Sequence, residues 1–158
     1  MTDSMPRLLG RPAELMLVED NYGDILLAQE ALNSCKIANR LYIARDGEEA
    51  LKMLRKEPPY ADQVTPDLIL LDLSLPRKDG REVLSEIKGS PDLAKIPVVI
   101  LTGSSAEMDV IKSYELNANC YIVKPLDFEQ LKGVVGAIQD FWFSVVLLPN
   151  HRPAEPIQ

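Results

Sequence analysis

The sequence predicts an α/β fold: one five-stranded parallel sheet, doubly wound, with helices on both faces. Three observations lead there. Short apolar runs alternate with stretches of helical periodicity along most of the chain, and Gly, Pro, Asn, Asp or Ser separate them. The main runs lack the apolar–polar alternation of a half-exposed strand, which suits strands covered on both faces. No internal repeat or low-complexity segment interrupts the pattern.

Residues Met1–Ala13 hold two prolines and a glycine without periodicity, and read as a flexible N-terminal arm (1–13). Leu15-Met16-Leu17-Val18 is the first buried strand and runs into Glu19-Asp20-Asn21. Asp20 or Asn21 can cap the helix that follows, whose Ala28, Ala31, Leu32 and Cys35 fall at i, i+3, i+4 and i+7. Leu41–Ala44 is a second short strand. Asp46-Gly47 turns the chain into a helix over Glu48–Lys56, with Ala50, Leu51 and Leu54 on one face; Pro58-Pro59 ends it. After a polar loop, Leu68–Leu71 forms the third strand and stops at Asp72, with Pro76 and Lys78-Asp79-Gly80 closing behind. Gly80–Lys88 is the third helix, turning Val83, Leu84 and Ile87 inward. Ile96–Leu101 is the fourth strand, ending in Thr102-Gly103, and a helix over about 106–116 follows. Cys120–Val123 is the fifth strand, ending in Lys124-Pro125. The last helix starts near Asp127.

At 158 residues the chain is the size of one domain with short tails. Its two cysteines lack metal or redox spacing and fit reduced thiols in a cytoplasmic protein. No signal-peptide pattern or apolar run of about 18 residues argues for export or a membrane. The net charge of −7, without a basic cluster, argues against nucleic acid as a direct partner. No DNA-reading module follows the main domain, so any effect on transcription is expected to run through another protein.

Parallel strands present all their carboxyl ends on one edge, where ligands bind in open α/β sheets. The strands leave there Glu19 and Asp20, then Asp72, then Thr102, then Lys124. Three carboxylates in one cleft repel one another unless a cation neutralises them, and hard oxygen donors without His or Cys suit Mg²⁺. Thr102 offers a hydroxyl and Lys124 a point charge, both matched to a phosphoryl oxygen. An aspartate carboxylate is an established nucleophile for phosphoryl groups. Asp72 alone would be a turn former, Lys124 alone a solvated strand end and Thr102 alone a helix cap. The chemistry that uses all five is phosphoryl transfer onto Asp72, with Mg²⁺ held by Glu19 and Asp20.

These residues resemble the receiver domain of two-component response regulators, a flavodoxin-like fold, over roughly residues 15–140. Glu19-Asp20-Asn21 is similar to the family's acidic pair, Leu71-Asp72 to its phosphorylated aspartate, Leu101-Thr102-Gly103 to its switch hydroxyl, and Val123-Lys124-Pro125 to its lysine, usually followed by a cis-proline bond. The resemblance implies that Asp20, Asp72 and the main-chain carbonyl of Ser74 contact Mg²⁺, with Glu19 acting mainly through a metal-bound water. It also implies that Tyr121 is the aromatic that swings inward when Thr102 moves. A closer similarity is to the small regulators that serve cyanobacterial and bacterial phytochromes. It rests on Asp67–Leu84, the long spacing before the Asp72 strand, Ser113–Tyr121 and Phe141-Trp142. The implied partner is a phytochrome-like histidine kinase, with an unidentified downstream protein.

Residues 141–148 are almost wholly apolar, and only one side of such a helix can face its own domain. Exposed aromatic patches mark interaction surfaces. The receiver is therefore expected over 14–148, with a homodimer interface built from Phe141, Trp142, Phe143 and Val146, and a disordered tail over 149–158. His151, the only histidine, lies in that proline-flanked tail, a poor place for a phosphohistidine. Two other classes compete. A constitutive dimeric adaptor would keep the fold without using phosphate. A phosphatase using Asp72 as nucleophile would want a second Asp two residues on, where Ser74 stands.

Overall fold

A computed structural model describes residues 12–34, 38–103 and 120–123, together with 129 and 133. In chain order the elements are β1 (Ala13–Val18), α1 (Tyr22–Asn33), β2 (Asn39–Ala44), α2 (Gly47–Arg55), β3 (Leu68–Asp72), α3 (Gly80–Lys88), β4 (Val98–Thr102) and β5 (Cys120–Val123). The strands form one sheet in the order β2-β1-β3-β4-β5, and every neighbouring pair is parallel.

Successive side chains of a strand point to opposite faces, so the sheet builds two cores. On one face Leu15 and Leu17 of β1, Leu68 and Leu70 of β3, and Val99 and Leu101 of β4 pack under Ile25, Ala28, Ala31 and Leu32 of α1. On the other, Met16, Val18, Ile69, Leu71, Val98 and Ile100 pack under Ala50, Leu51 and Leu54 of α2 and Val83, Leu84 and Ile87 of α3. The central strands β1, β3 and β4 are buried at every position, the physical reason they are mostly apolar without apolar–polar alternation. Edge strand β2 is only partly covered.

The element boundaries differ from expectation in instructive places. Ala13 belongs to β1 and is buried, because its amide bonds the Ala38 carbonyl beside the incoming edge strand. β4 starts at Val98 and not at Ile96: Pro97 has no amide to donate, and contributes only its carbonyl, to Ile69. α2 ends at Arg55, three residues before the prolines. Lys56 adopts the left-handed conformation (φ 58°) there and its amide closes on the Met53 carbonyl. Cys35, the helix expected over 106–116 and nearly all of the last helix lie outside the described residues. Glu129 and Gly133 are helical. Among the described residues no helix is long and apolar enough to cross a membrane.

Candidate functional site

The sheet register assembles the site. Val18 of β1 lies beside Leu71 of β3, so the next residues, Glu19 and Asp72, leave the sheet side by side. Asp72 lies beside Leu101 of β4, which places Thr102 one residue further along the same rim. Thr102 in turn lies beside Val123 of β5, the residue before Lys124. Parallel pairing thus lines up on one edge the described residues Glu19 to Thr102, which are scattered over more than 80 positions of chain.

Carboxylate oxygens of Glu19, Asp20 and Asp72 all lie within 4.8 Å of one another. Glu19 and Asp72 are buried, at 1% and 3% exposure, and Asp20 is exposed. Thr102 is fully buried. Backbone amides hold the two buried acids: Asn21 N–H donates to Glu19 Oε2 at 3.1 Å, and Ser74 N–H donates to Asp72 Oδ1 at 3.3 Å. The helix cap falls to Asn21, whose Oδ1 accepts from Asp24 N–H at 2.9 Å. Of the two residues able to cap α1, Asn21 does so, leaving Asp20 at the rim.

Three carboxylates this close repel strongly where solvent is excluded. An all-oxygen donor set with one member open to solvent has the chemistry of a hard divalent cation site. The residues present therefore fit such an ion.

The loop from Leu73 to Asp79 that carries Ser74 returns to the sheet through Gly80, whose amide donates to the Leu73 carbonyl at 3.0 Å. Gly80 meets the strand end so closely that a side-chain carbon there would collide with the Asp72 carbonyl and lie 2.6 Å from Leu73 Cα. Gly47 at the start of α2 is equally tight, against the Lys78 carbonyl and Val83. The sequence reading takes Gly47 as a turn residue and Gly80 as the start of the third helix. Their packing role depends on neighbours distant in sequence.

The structure therefore brings together Glu19, Asp20, Asp72 and Thr102, with Ser74 on the adjoining loop. Tyr121 is a β5 residue in register with Ile100. Lys124 with its Pro125 bond, Phe141, Trp142, Phe143 and Val146 lie outside the described residues.

Comparison with known proteins gives the family. The family model for the response regulator receiver domain matches residues 15–136. The chain is 49% identical over 138 residues to the response regulator Rcp1 of Synechocystis, covering 87% of this chain and 94% of the relative. The Mn²⁺-bound crystal structure of Rcp1 superposes with a TM-score of 0.71, covering 87% of this chain and 99% of that one. The phosphorylated cyanobacterial phytochrome response regulator RcpA is 50% identical, with a TM-score of 0.72 and the same coverage. The bacteriophytochrome response regulator AtBRR is 43% identical, with a TM-score of 0.76, covering 84% of this chain and 96% of that one. By family model, sequence identity and fold alike, this chain belongs to the response regulator receiver domains.

Proposed function

We propose that this chain accepts a phosphoryl group on Asp72 from a phytochrome-type histidine kinase and signals through a change at Thr102 and Tyr121. The observation that carries the assignment to Asp72 is the convergence of its buried carboxylate with Glu19 and Asp20 within 4.8 Å, at the rim where Thr102 also ends its strand. The similarity to Rcp1, RcpA and AtBRR supports the choice of kinase.

An Asp72 carboxylate oxygen attacks the phosphorus of the donor phosphohistidine. The P–N bond breaks, its electron pair leaves with the imidazole, and an acyl phosphate remains on Asp72. Glu19, Asp20, Asp72 and the main-chain carbonyl of Ser74 would hold Mg²⁺. When bound, that ion supplies positive charge against the carboxylates and the incoming phosphoryl oxygens. The Ser74 amide fixes the orientation of the Asp72 carboxylate. The Thr102 hydroxyl and the Lys124 ammonium are the chain's own partners for phosphoryl oxygens, and Tyr121 follows Thr102. Phe141, Trp142, Phe143 and Val146 would form the homodimer contact.

Intact mass after incubation with Mg²⁺ and a small phosphodonor, with and without EDTA, tests this reading. The expected result is one added phosphoryl group that is lost with EDTA and absent from Asp72→Asn. Labelling that persists in Asp72→Asn would refute the acceptor. No labelling by small donors or by candidate kinases would leave the adaptor reading, which the family membership disfavours. Size distribution of the same samples tests the dimer.

A further inference from the structure

The loop after Asp72 is held in a costly conformation. Lys78 N–H donates to the Pro76 carbonyl at 2.8 Å, which makes Arg77 the centre of a three-residue turn with φ 68°. Such positive-φ γ-turns are rare and strained for a residue with a side chain. Strain of this kind persists only where the surroundings over-determine it.

Here the surroundings are α2 and α3. Arg77 Nε lies 3.5 Å from Asp46 Oδ2, and its Nη1 lies 3.9 Å from Glu48 Oε1, both at the start of α2. The Lys78 carbonyl abuts Gly47, leaving no room for a side chain. Lys78 Nζ pairs with Glu86 Oε2 of α3, and the other oxygen of Glu86 accepts from Arg55 Nη2 of α2 at 2.7 Å. Two consecutive loop residues, three and four positions beyond Ser74, are thus tied to both helices.

We propose that this charged clamp of α2 and α3 on Arg77 and Lys78 positions the Asp72–Gly80 loop for divalent-ion binding, making Arg77 and Glu86 positioning residues for a site they do not touch. The inference rests on the proposed metal site. Released from the clamp, the strained turn relaxes, the binding-competent loop is less populated, and apparent affinity falls by that fraction. Reciprocally, ion binding tightens the seam between the loop and α2, so that a contact on α2 biases the site.

Calorimetric titration of Mn²⁺ into the full chain, with thermal unfolding alongside, tests the clamp in three variants. Arg77→Ala and Glu86→Ala are each expected to weaken binding by about tenfold, the low end for groups that orient a metal ligand. Arg77→Gly loses the same ion pairs but adopts positive φ without strain, so it is expected to lose less affinity than Arg77→Ala. Equal affinity in the unaltered chain, Arg77→Ala and Glu86→Ala overturns the clamp, even with lowered thermal stability, because the residues would then be merely structural. Equal loss in Arg77→Ala and Arg77→Gly overturns the part assigned to strain. Should the unaltered chain bind no Mn²⁺, the proposed function falls, and this inference with it. Arg77 is exposed, so its variants keep the test open if Glu86→Ala does not fold.

Discussion

Replacing Gly80 by alanine is the sharpest test of how the fold supports the site. Gly80 is the first residue of α3, where alanine is intrinsically better than glycine by about 1 kcal/mol. The added methyl would collide with the Asp72 carbonyl and lie 2.6 Å from Leu73 Cα and 3.1 Å from the Leu73 carbonyl oxygen. All three are backbone atoms at the end of β3, and none can rotate away. Overpacking of this kind costs about 1–3 kcal/mol, so the net expectation is a loss of up to about 2 kcal/mol. Gly133 supplies the control, because it is helical and exposed and a side-chain carbon there meets nothing within 4 Å among the described residues. Gly133→Ala should therefore stabilise by about 0.5–1 kcal/mol. The two variants should differ by about 2 kcal/mol in urea unfolding, about 1 M in midpoint at ordinary slopes. Because the displaced backbone carries Asp72, Gly80→Ala should also label more slowly with a small phosphodonor, while Gly133→Ala should not. A Gly80→Ala chain as stable as the unaltered one and labelled at the same rate would refute the close-approach argument.

The remaining expectations are shorter. Asn21→Ala removes the cap of α1 and should cost about 1 kcal/mol by denaturant unfolding; a change below the error of the measurement would return the capping role to Asp20. The Lys78 ammonium, then the Arg55 guanidinium, hydrogen-bond to Glu86 and hold its carboxyl below its usual 4.5. A carboxylate with a lowered folded value adds stability that is complete above 4.5 and disappears as pH falls through that lowered value. Glu86→Gln should therefore be less stable than the unaltered chain at neutral pH, and the two unfolding curves should converge as pH falls through that lowered value. A stability gap independent of pH would show that the interaction is not one of charge. Asp72→Asn, finally, should abolish labelling while leaving the fold intact, as circular dichroism would report.

Much of the fold was legible because burial on both faces leaves a local mark. Leu68–Leu71, Val98–Leu101 and Cys120–Val123 show it as short apolar runs, and α3 was readable from end to end between Asp79 and Gly89. What misled was also local. Ile96-Pro97 continues the apolar run, but proline cannot join the ladder. Ala13 carries no strand signal of its own and pairs only because Ala38 and Asn39 come alongside. Glu14 was not singled out, yet it is buried in β1 and accepts from Tyr42 Oη at 2.9 Å and Arg40 Nη1 at 3.3 Å. A lone acid between apolar residues has no marker of a partner nearly 30 residues away.

By itself the sequence determined which residues end each strand, since chain order and apolar periodicity fix where a buried run meets its first polar group. That was enough to nominate Glu19, Asp20, Asp72 and Thr102 and the chemistry they suit. The tertiary structure alone decided how near those residues lie, which two acids are buried, that Asn21 caps α1, and that Arg77 is held at positive φ between α2 and α3. Distance, burial and strain arise from contacts between segments that meet only when the sheet pairs β1 with β3 and β3 with β4, and no short stretch of chain encodes them.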